Sequence, residues 1–488
     1  MRMPGDIGPF HILGIGGIGM SAIAEVLADL GYTVQGSDQK ESANVRRLRQ
    51  KGIRVFIGHD PINLIGARYV VISSAVKDGN PELEGARQRR LPIVNRAAML
   101  AELMRLTKTV SVTGTHGKTT TTSMTAHLFK TAGLDPTVIT GGIINDWGTN
   151  ARVGKGDWMV VEADESDGTH ARLPTQIGIV TNIDPEHLDY YGTVERMEEA
   201  YRLFFEQIPF YGLAVAGIDH PVVRRMLGEM RARENGRRLL TFGEAEDADL
   251  RVRNVRFHGQ TATFDVDLSA RVLGGARTFT NVTLAVPGHY NVLNALAAMA
   301  VATEAGIDDT VIIKGLSTFA GVKRRFEPAG TWNGVSIYDD YAHHPAEVSS
   351  VLKAARSATS GRVIAVFQPH RFTRVRDLFD EFCASFSDAD AVLVTPIYTA
   401  GEPPIDGITH EAVAQGIRHL GHRAVMPVGS ERELAPVLAQ YAKPGDLIIC
   451  MGAGTITDWA HALPEWLRVS NSQAAPQAMA EPRRGTGT

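Results

Sequence analysis

At 488 residues, with 44% hydrophobic and 21% charged side chains, the chain has a globular composition and is too long for one core; roughly two to four domains are expected. A formal net charge of −4 excludes broad electrostatic capture of nucleic acid or an anionic membrane, so a polyphosphate ligand must be gripped by local devices. Two cysteines, Cys383 and Cys450, are too few for a disulfide framework, and no apolar run nears the ~20 residues that span a bilayer. The start of the chain has no charged segment followed by a long apolar one, so a cytoplasmic protein is expected.

From the N-terminus, short apolar runs alternate with helix-like segments: "FHILGI" (10–15), "YTVQGS" (32–37) and "RYVVIS" (68–73). That alternation predicts a parallel sheet with crossover helices over residues 1–107. The first strand runs into Gly14-x-Gly16-x-x-Gly19, with Gly17 between, a dinucleotide-binding turn that lets backbone approach a diphosphate. Asp38, with Ser37 before it, follows the second strand where a ribose-binding acid belongs. On these residues alone a nicotinamide dinucleotide leads.

A second alternating block opens at "KTVSVTG" (108–114) and is expected to end at 321. Gly114-Thr115-His116-Gly117-Lys118-Thr119-Thr120 closes its first strand and opens a helix, so it reads as a phosphate loop. Lys118 supplies a cation for the terminal phosphates and Thr119 a hydroxyl for Mg²⁺, although the first glycine of a full Walker A would fall at Val112. "VVEADESDG" (160–168) sets acids at a strand's C-terminal end, with Glu162 the first choice as a Mg²⁺ ligand and Asp164 and Glu165 its rivals. "TNIDPEHLDYYG" (181–192) repeats the design with His187, equally readable as a structural residue at a helix start. Period-two alternation in 250–286 predicts antiparallel hairpins on the flank, followed by a helix over 291–306.

A third block, 322–468, contains "VSIYDD", "RVIAVFQ", "AVLVTPI" and "DLIICMGAG". From 469 the chain loses apolar periodicity, and a mobile tail to 488 is expected.

The phosphate loop, Glu-Ala-Asp-Glu-Ser-Asp and Asn-Ile-x-Pro-x-His together resemble the central domain of the Mur ligases, ATP-dependent amide-forming enzymes of bacterial peptidoglycan synthesis. "GHYNVLNALAA" (288–298), "GVKRRFE" (321–327), "DDYAHHPAEV" (339–348) and "FQPHRFTRVRDLF" (367–379) extend the resemblance over about 8–468 and are similar to its alanine-adding branch. The resemblance implies an α/β fold of three domains: Rossmann-like, P-loop ATPase-type with a small antiparallel flank, and Rossmann-like again. It replaces the dinucleotide with the UDP of UDP-N-acetylmuramate, and it adds Ser73 and Ser74 to the first site. ATP would lie on the loop at 114–120, with Asn291 and Asn294 at adenine and Arg324 or Arg325 reaching the nucleotide. Two Mg²⁺ ions are implied, with Thr119 and Glu162 on one and His187 assisting the other. Tyr341, His343, Arg371 and Arg374 would hold L-alanine, with His343 a candidate base. The family's carbamylated lysine has no counterpart, since no lysine lies between 155 and 314. A monomer or homodimer is expected. Rivals are a recycling ligase that adds a preformed peptide, a nicotinamide-dependent oxidoreductase, and a non-catalytic sugar-nucleotide sensor.

Overall fold

The computed structural model describes residues 7–73, 75–232 and 236–474, and they build three mostly parallel sheets. The first has five parallel strands in the spatial order Arg54–Ile57, Val34–Asp38, Phe10–Leu13, Tyr69–Ile72, Ile93–Asn95. Strand order reverses between Phe10–Leu13 and Tyr69–Ile72, and such a switch point opens a crevice beyond the strands' carboxyl ends. Gly14 sits there with φ +70, and a Cβ added to it would lie 3.6 Å from Cβ of Ser73. The helix Ile18–Asp29 follows at once, buried along nearly its whole length from Met20 to Leu27.

The second sheet has ten strands. Lys108–Thr113 lies at its centre between Ile177–Val180 and Trp158–Glu162, parallel to both. The phosphate loop, the acids after 161 and the segment from Thr181 therefore leave the sheet at the same edge. Thr137–Ile144 and the antiparallel Thr149–Arg152 complete one side. On the other side come Leu213–Gly217, Arg238–Gly243, Leu250–His258, Thr261–Leu268 and Arg277–Leu284. Only two residues separate Leu250–His258 from Thr261–Leu268, a connection open to antiparallel neighbours alone. The helix read at 291–306 spans His289–Glu304.

Ile12 of the first sheet and Ile23 and Val26 of the helix Ile18–Asp29 form one core with Ile139, Ala151 and Met159 of the second sheet. Each buried aliphatic side chain contributes about 1.5–3 kcal/mol, and polar ties reinforce the junction. Asn150 Nδ2 donates to the Ile18 carbonyl at 3.0 Å, and Arg47 Nη2 donates to Asn150 Oδ1 at 3.2 Å. Residues up to 256, with 263–285 and 290–322, accordingly make one compact unit; the second comprises 257–262, 286–289 and the chain from 323.

The third sheet runs Glu327–Trp332, Val335–Asp340, Leu447–Met451, Val363–Phe367, Ala391–Val394, Val425–Pro427, antiparallel only at the first pair. Its last helix, Ile456–Ala474, continues past 469, so residues 469–474 are helical where a mobile tail was expected. Extending an established helix adds one hydrogen bond per residue and needs no new nucleus, so it outlasts the apolar pattern. Residues 475–488 lie outside the described residues. No helix among the described residues is long and apolar enough to cross a membrane.

Candidate active site

Gly114 (φ +129) and Gly117 (φ +85) give the phosphate loop its shape, in a region where side chains are strained. A Cβ at Gly117 would come within 2.6 Å of Asn294 Oδ1, so Asn294 packs directly on the loop; its Nδ2 donates to Asn291 Oδ1 at 3.3 Å. The neighbouring segment locks the loop. Backbone N–H of His116 donates to Asn182 Oδ1 at 2.8 Å, and Asn182 Nδ2 returns a bond to the His116 carbonyl at 3.0 Å. Thr115 Oγ1 accepts from Asp184 N at 2.8 Å. Hydrogen bonds from His116 and His220 hold the Asp184 carboxyl well below its ordinary range.

Lys118 is mostly buried, and its Nζ donates to the carbonyls of Gly114 and Thr115 at 2.8 and 3.0 Å and to Glu165 Oε1 at 2.6 Å. Burial opposes its charge, yet Glu165, with Glu186 and Glu162 beyond, keeps its pKa above the ordinary lysine value. Thr119 Oγ1 donates to Glu162 Oε1 at 3.1 Å, while Glu162 Oε2 accepts from Thr140 Oγ1 at 2.8 Å and Gly141 N at 2.6 Å. Thr120 is buried in the same helical turn.

His187 faces a different carboxylate. Its Nε2 lies 3.6 Å from Glu165 Oε1 and 3.9 Å from Glu186 Oε2, with φ +57 at a backbone position where non-glycine residues are uncommon. Burial works against its charged form but is outweighed by Glu165 and Glu186, which lift its pKa. One ligand atom each from Glu165, Glu186 and His187 falls within 4.8 Å of the others, and the buried Glu165 Oε2 has no hydrogen-bond partner among the described residues. An oxygen-rich set with such an orphaned oxygen fits a divalent cation. Glu165, ranked behind Glu162 in the sequence, thus joins Lys118 to His187; spacing could not show which acid of the run turned inward.

At the first cradle, Gly16 N donates to Asp38 Oδ2 at 2.9 Å, so Asp38 buttresses the turn as well as flanking it. Gly17 caps the helix without a side-chain bond, and Gly19 stands in its first turn under Arg96, whose Nη1 would be 3.1 Å from an added Cβ. Ser37, placed at the first site with Asp38, is fully buried, and its Oγ donates to Glu82. A strand residue facing the layer beneath cannot also face the crevice; Ser37 serves instead through its carbonyl, which accepts from Gly14 N at 2.9 Å and Ile15 N at 3.0 Å. Ser73 lies beside Gly14, and Ser74 lies outside the described residues.

In the second unit the candidates gather beyond Val335–Asp340 and Val363–Phe367. Arg324 and Arg325 stack on Tyr341, with their guanidinium carbons 4.6 and 5.3 Å from the ring centre. Arg324 also donates to the Gly452 carbonyl at 2.9 Å. The His343 ring is 5.0 Å from Tyr341, and its Nδ1 lies 2.9 Å from the Tyr341 carbonyl and 3.2 Å from Glu347 Oε2. Arg371, at φ +66, starts the helix Phe372–Asp377 and donates its N–H to the Tyr398 carbonyl at 2.9 Å. Arg374 Nη1 lies 3.3 Å from His370 Nδ1. His370 was missed in the sequence, where it reads as part of the arginine motif. It stacks on Tyr398 and meets His343, and burial, followed by His343 and both arginines, lowers its pKa to about 4. It is a neutral ring at pH 7.

The chain matches the models of the Mur ligase family catalytic domain (residues 9–108), the Mur ligase middle domain (112–302) and the Mur ligase glutamate ligase domain (324–454). It belongs to the Mur ligase family. Within that family it is 57% identical to a UDP-N-acetylmuramate–L-alanine ligase of Mesorhizobium japonicum, over 96% of this chain and 100% of the relative. A protein of the same name from Parvibaculum lavamentivorans is 55% identical over 99% of both. Among solved structures, the UDP-N-acetylmuramate–alanine ligase of Thermotoga maritima superposes with a TM-score of 0.77 at 30% identity, covering 95% of this chain and 99% of that one.

Proposed function

We propose that the protein joins L-alanine to the lactyl carboxylate of UDP-N-acetylmuramate at the expense of ATP, a step of peptidoglycan precursor synthesis. The observation that carries this reading is the pairing, in one compact unit, of a diphosphate turn at 14–19 with a phosphate loop at 114–119. An oxidoreductase has no use for the second cradle. Full-length likeness to alanine-adding relatives supports the substrate assignment.

In this reading a carboxylate oxygen of the sugar substrate attacks the γ-phosphorus of ATP, the bond to the β-phosphate bridge breaks, and ADP leaves. The amine of alanine then attacks the acyl carbon; the tetrahedral intermediate collapses with loss of phosphate, and the ammonium proton passes to a base. Lys118 neutralises charge that grows on the transferring group and its leaving oxygen, in a site that needs positioning more than covalent chemistry. Mg²⁺ would be held by Thr119 with Glu162 and by His187 with Glu165, where it supplies further positive charge to the phosphates. Asn291 and Asn294 are assigned to adenine, and Arg324 or Arg325 to the nucleotide.

Arg371 and Arg374 suit the alanine carboxylate, since a guanidinium fork matches a carboxylate's two oxygens. Tyr341 supports the same pocket. Because His343 Nδ1 is engaged by Tyr341 and Glu347, Nε2 is the nitrogen that would take the amine's proton. A coupled ADP-release assay with UDP-N-acetylmuramate, adding one amino acid or one tripeptide at a time, tests the reading. Release dependent on L-alanine is expected; release dependent on tripeptide alone, or NADH turnover, contradicts it.

A further inference from the structure

Arg96 opens the helix Arg96–Met104, and its position is electrostatically adverse. It places a cation at the positive end of its own helix, and its guanidinium also rests on the first turn of Ile18–Asp29, a second positive end. A cation held against two helix N-termini calls for an anion. In this structure the counter-charges are Asp164 and Asp167, both with Oδ2 3.6 Å from Nη2, longer than a hydrogen bond and partly exposed. They belong to the loop that leaves Glu162 and carries Glu165. Arg96 therefore touches the glycine turn with one nitrogen and faces the acidic loop of the phosphate site with another.

Resting on the function proposed above, we infer that Arg96 is the cationic clamp for the sugar nucleotide's diphosphate, and that it exchanges Asp164 and Asp167 for phosphate oxygens when that ligand binds. The third glycine of the turn then has a reason of its own: a Cβ at 19 would lie 3.1 Å from Arg96 Nη1, closer than ordinary contact, so the guanidinium would have to shift. The exchange also releases two carboxylates beside the acids assigned to Mg²⁺. Filling the first cradle should therefore tighten the second for a metal–nucleotide complex, and by linkage the reverse must hold to the same factor.

Calorimetric titration of the full chain tests this with UDP-N-acetylmuramate, UDP alone, and the Mg²⁺ complex of a non-hydrolysable ATP analogue. Arg96→Ala should weaken the sugar nucleotide and UDP alike by about 10- to 100-fold, a charge-assisted pair's range. Because the substitution itself frees Asp164 and Asp167, the ATP analogue should bind Arg96→Ala alone as tightly as it binds wild type carrying sugar nucleotide, and that retained binding also reports an intact fold. The tightening of the analogue by bound sugar nucleotide should fall to a factor of one. Should Arg96→Ala fail to fold, Arg96→Lys carries the test, with several-fold weaker binding expected from loss of the fork. Wild-type affinity in the variant overturns the clamp, and so does weakening of UDP-N-acetylmuramate without UDP, which would put Arg96 on the muramoyl carboxylate. Wild-type protein that binds no sugar nucleotide overturns the functional reading and the clamp with it.

Discussion

In the loop at 114–119 the lysine is already paired: Glu165 lies 2.6 Å from Lys118 Nζ, and Asn182 and Thr181 lock the turn around it. Beside the turn at 14–19 Arg96 keeps 3.6 Å from its carboxylates, and Asp38 occupies the N–H of Gly16. Both cradles offer backbone donors at a helix start. They differ in where the balancing charge sits. The phosphate loop carries its counter-charge on acids that suit a divalent cation, so a ligand entering with its own metal replaces like with like. Among the described residues no cluster of acids that could hold a metal ion lies at the glycine turn, and there a metal-free diphosphate needs a protein cation.

That contrast can be broken most forcefully at Lys118. Lys118→Ala should lower ADP formation by about 10²- to 10³-fold, the scale for losing one preorganised charge-stabilising group. Affinity for the sugar nucleotide should hold within twofold by titration. Joint loss of both would make the two cradles one site.

Arg371→Ala, in the other compact unit, should raise the KM for alanine by about 10- to 100-fold, as expected for a charge-assisted bond. The KM for ATP should not follow. Parallel rises in steady-state assays would remove Arg371 from the amino-acid pocket.

Glu162→Gln sharpens the comparison from the metal side: half-saturation by Mg²⁺ should need about tenfold more of the ion, the lower end of ligand-shell effects. Sugar-nucleotide binding measured without metal should be indifferent. A Mg²⁺ titration of activity that matches wild type would take Glu162 off the ligand set.

The effect furthest from activity is on stability beneath the first cradle. Glu82 is buried with His11, His59, Ser37 and Asn63, and although burial raises its pKa, hydrogen bonds from His11, Ser37 and Asn63 bring it down to about 2. A depressed carboxylate stabilises the fold fully above its unfolded value of 4.5 and loses that contribution as pH falls toward 2. A gap of that size corresponds to about 3 kcal/mol. Urea unfolding from pH 7 down to 3 should show a shallower acid decline for Glu82→Gln than for wild type. Equal slopes would mean that Glu82 is not the responsible group.

Much of this was legible in the chain. Strands such as Ile177–Val180 and Leu213–Gly217 are buried on both faces and show as plain apolar runs, and the glycines announce both turns. Arg54–Ile57, Ile93–Asn95 and Thr149–Arg152 escaped notice, because these edge strands are only three or four residues long. Facing was harder to read than position. Ser37 and Asp38 are neighbours, yet strand alternation buries one hydroxyl on Glu82 and turns the other side chain to the glycine turn. Glu162 and Glu165 are three apart, and only the fold shows that one meets Thr119 and the other Lys118. His370 and Arg96 belong to no spacing rule; their roles depend on partners distant in sequence.

The most direct trial is a ternary titration: UDP-N-acetylmuramate added to protein saturated with the Mg²⁺ complex of a non-hydrolysable ATP analogue. Two separate nucleotide seats predict one equivalent of each bound together, with the second ligand undiminished or tightened by the first. Mutual displacement, or an analogue that never binds, would contradict them.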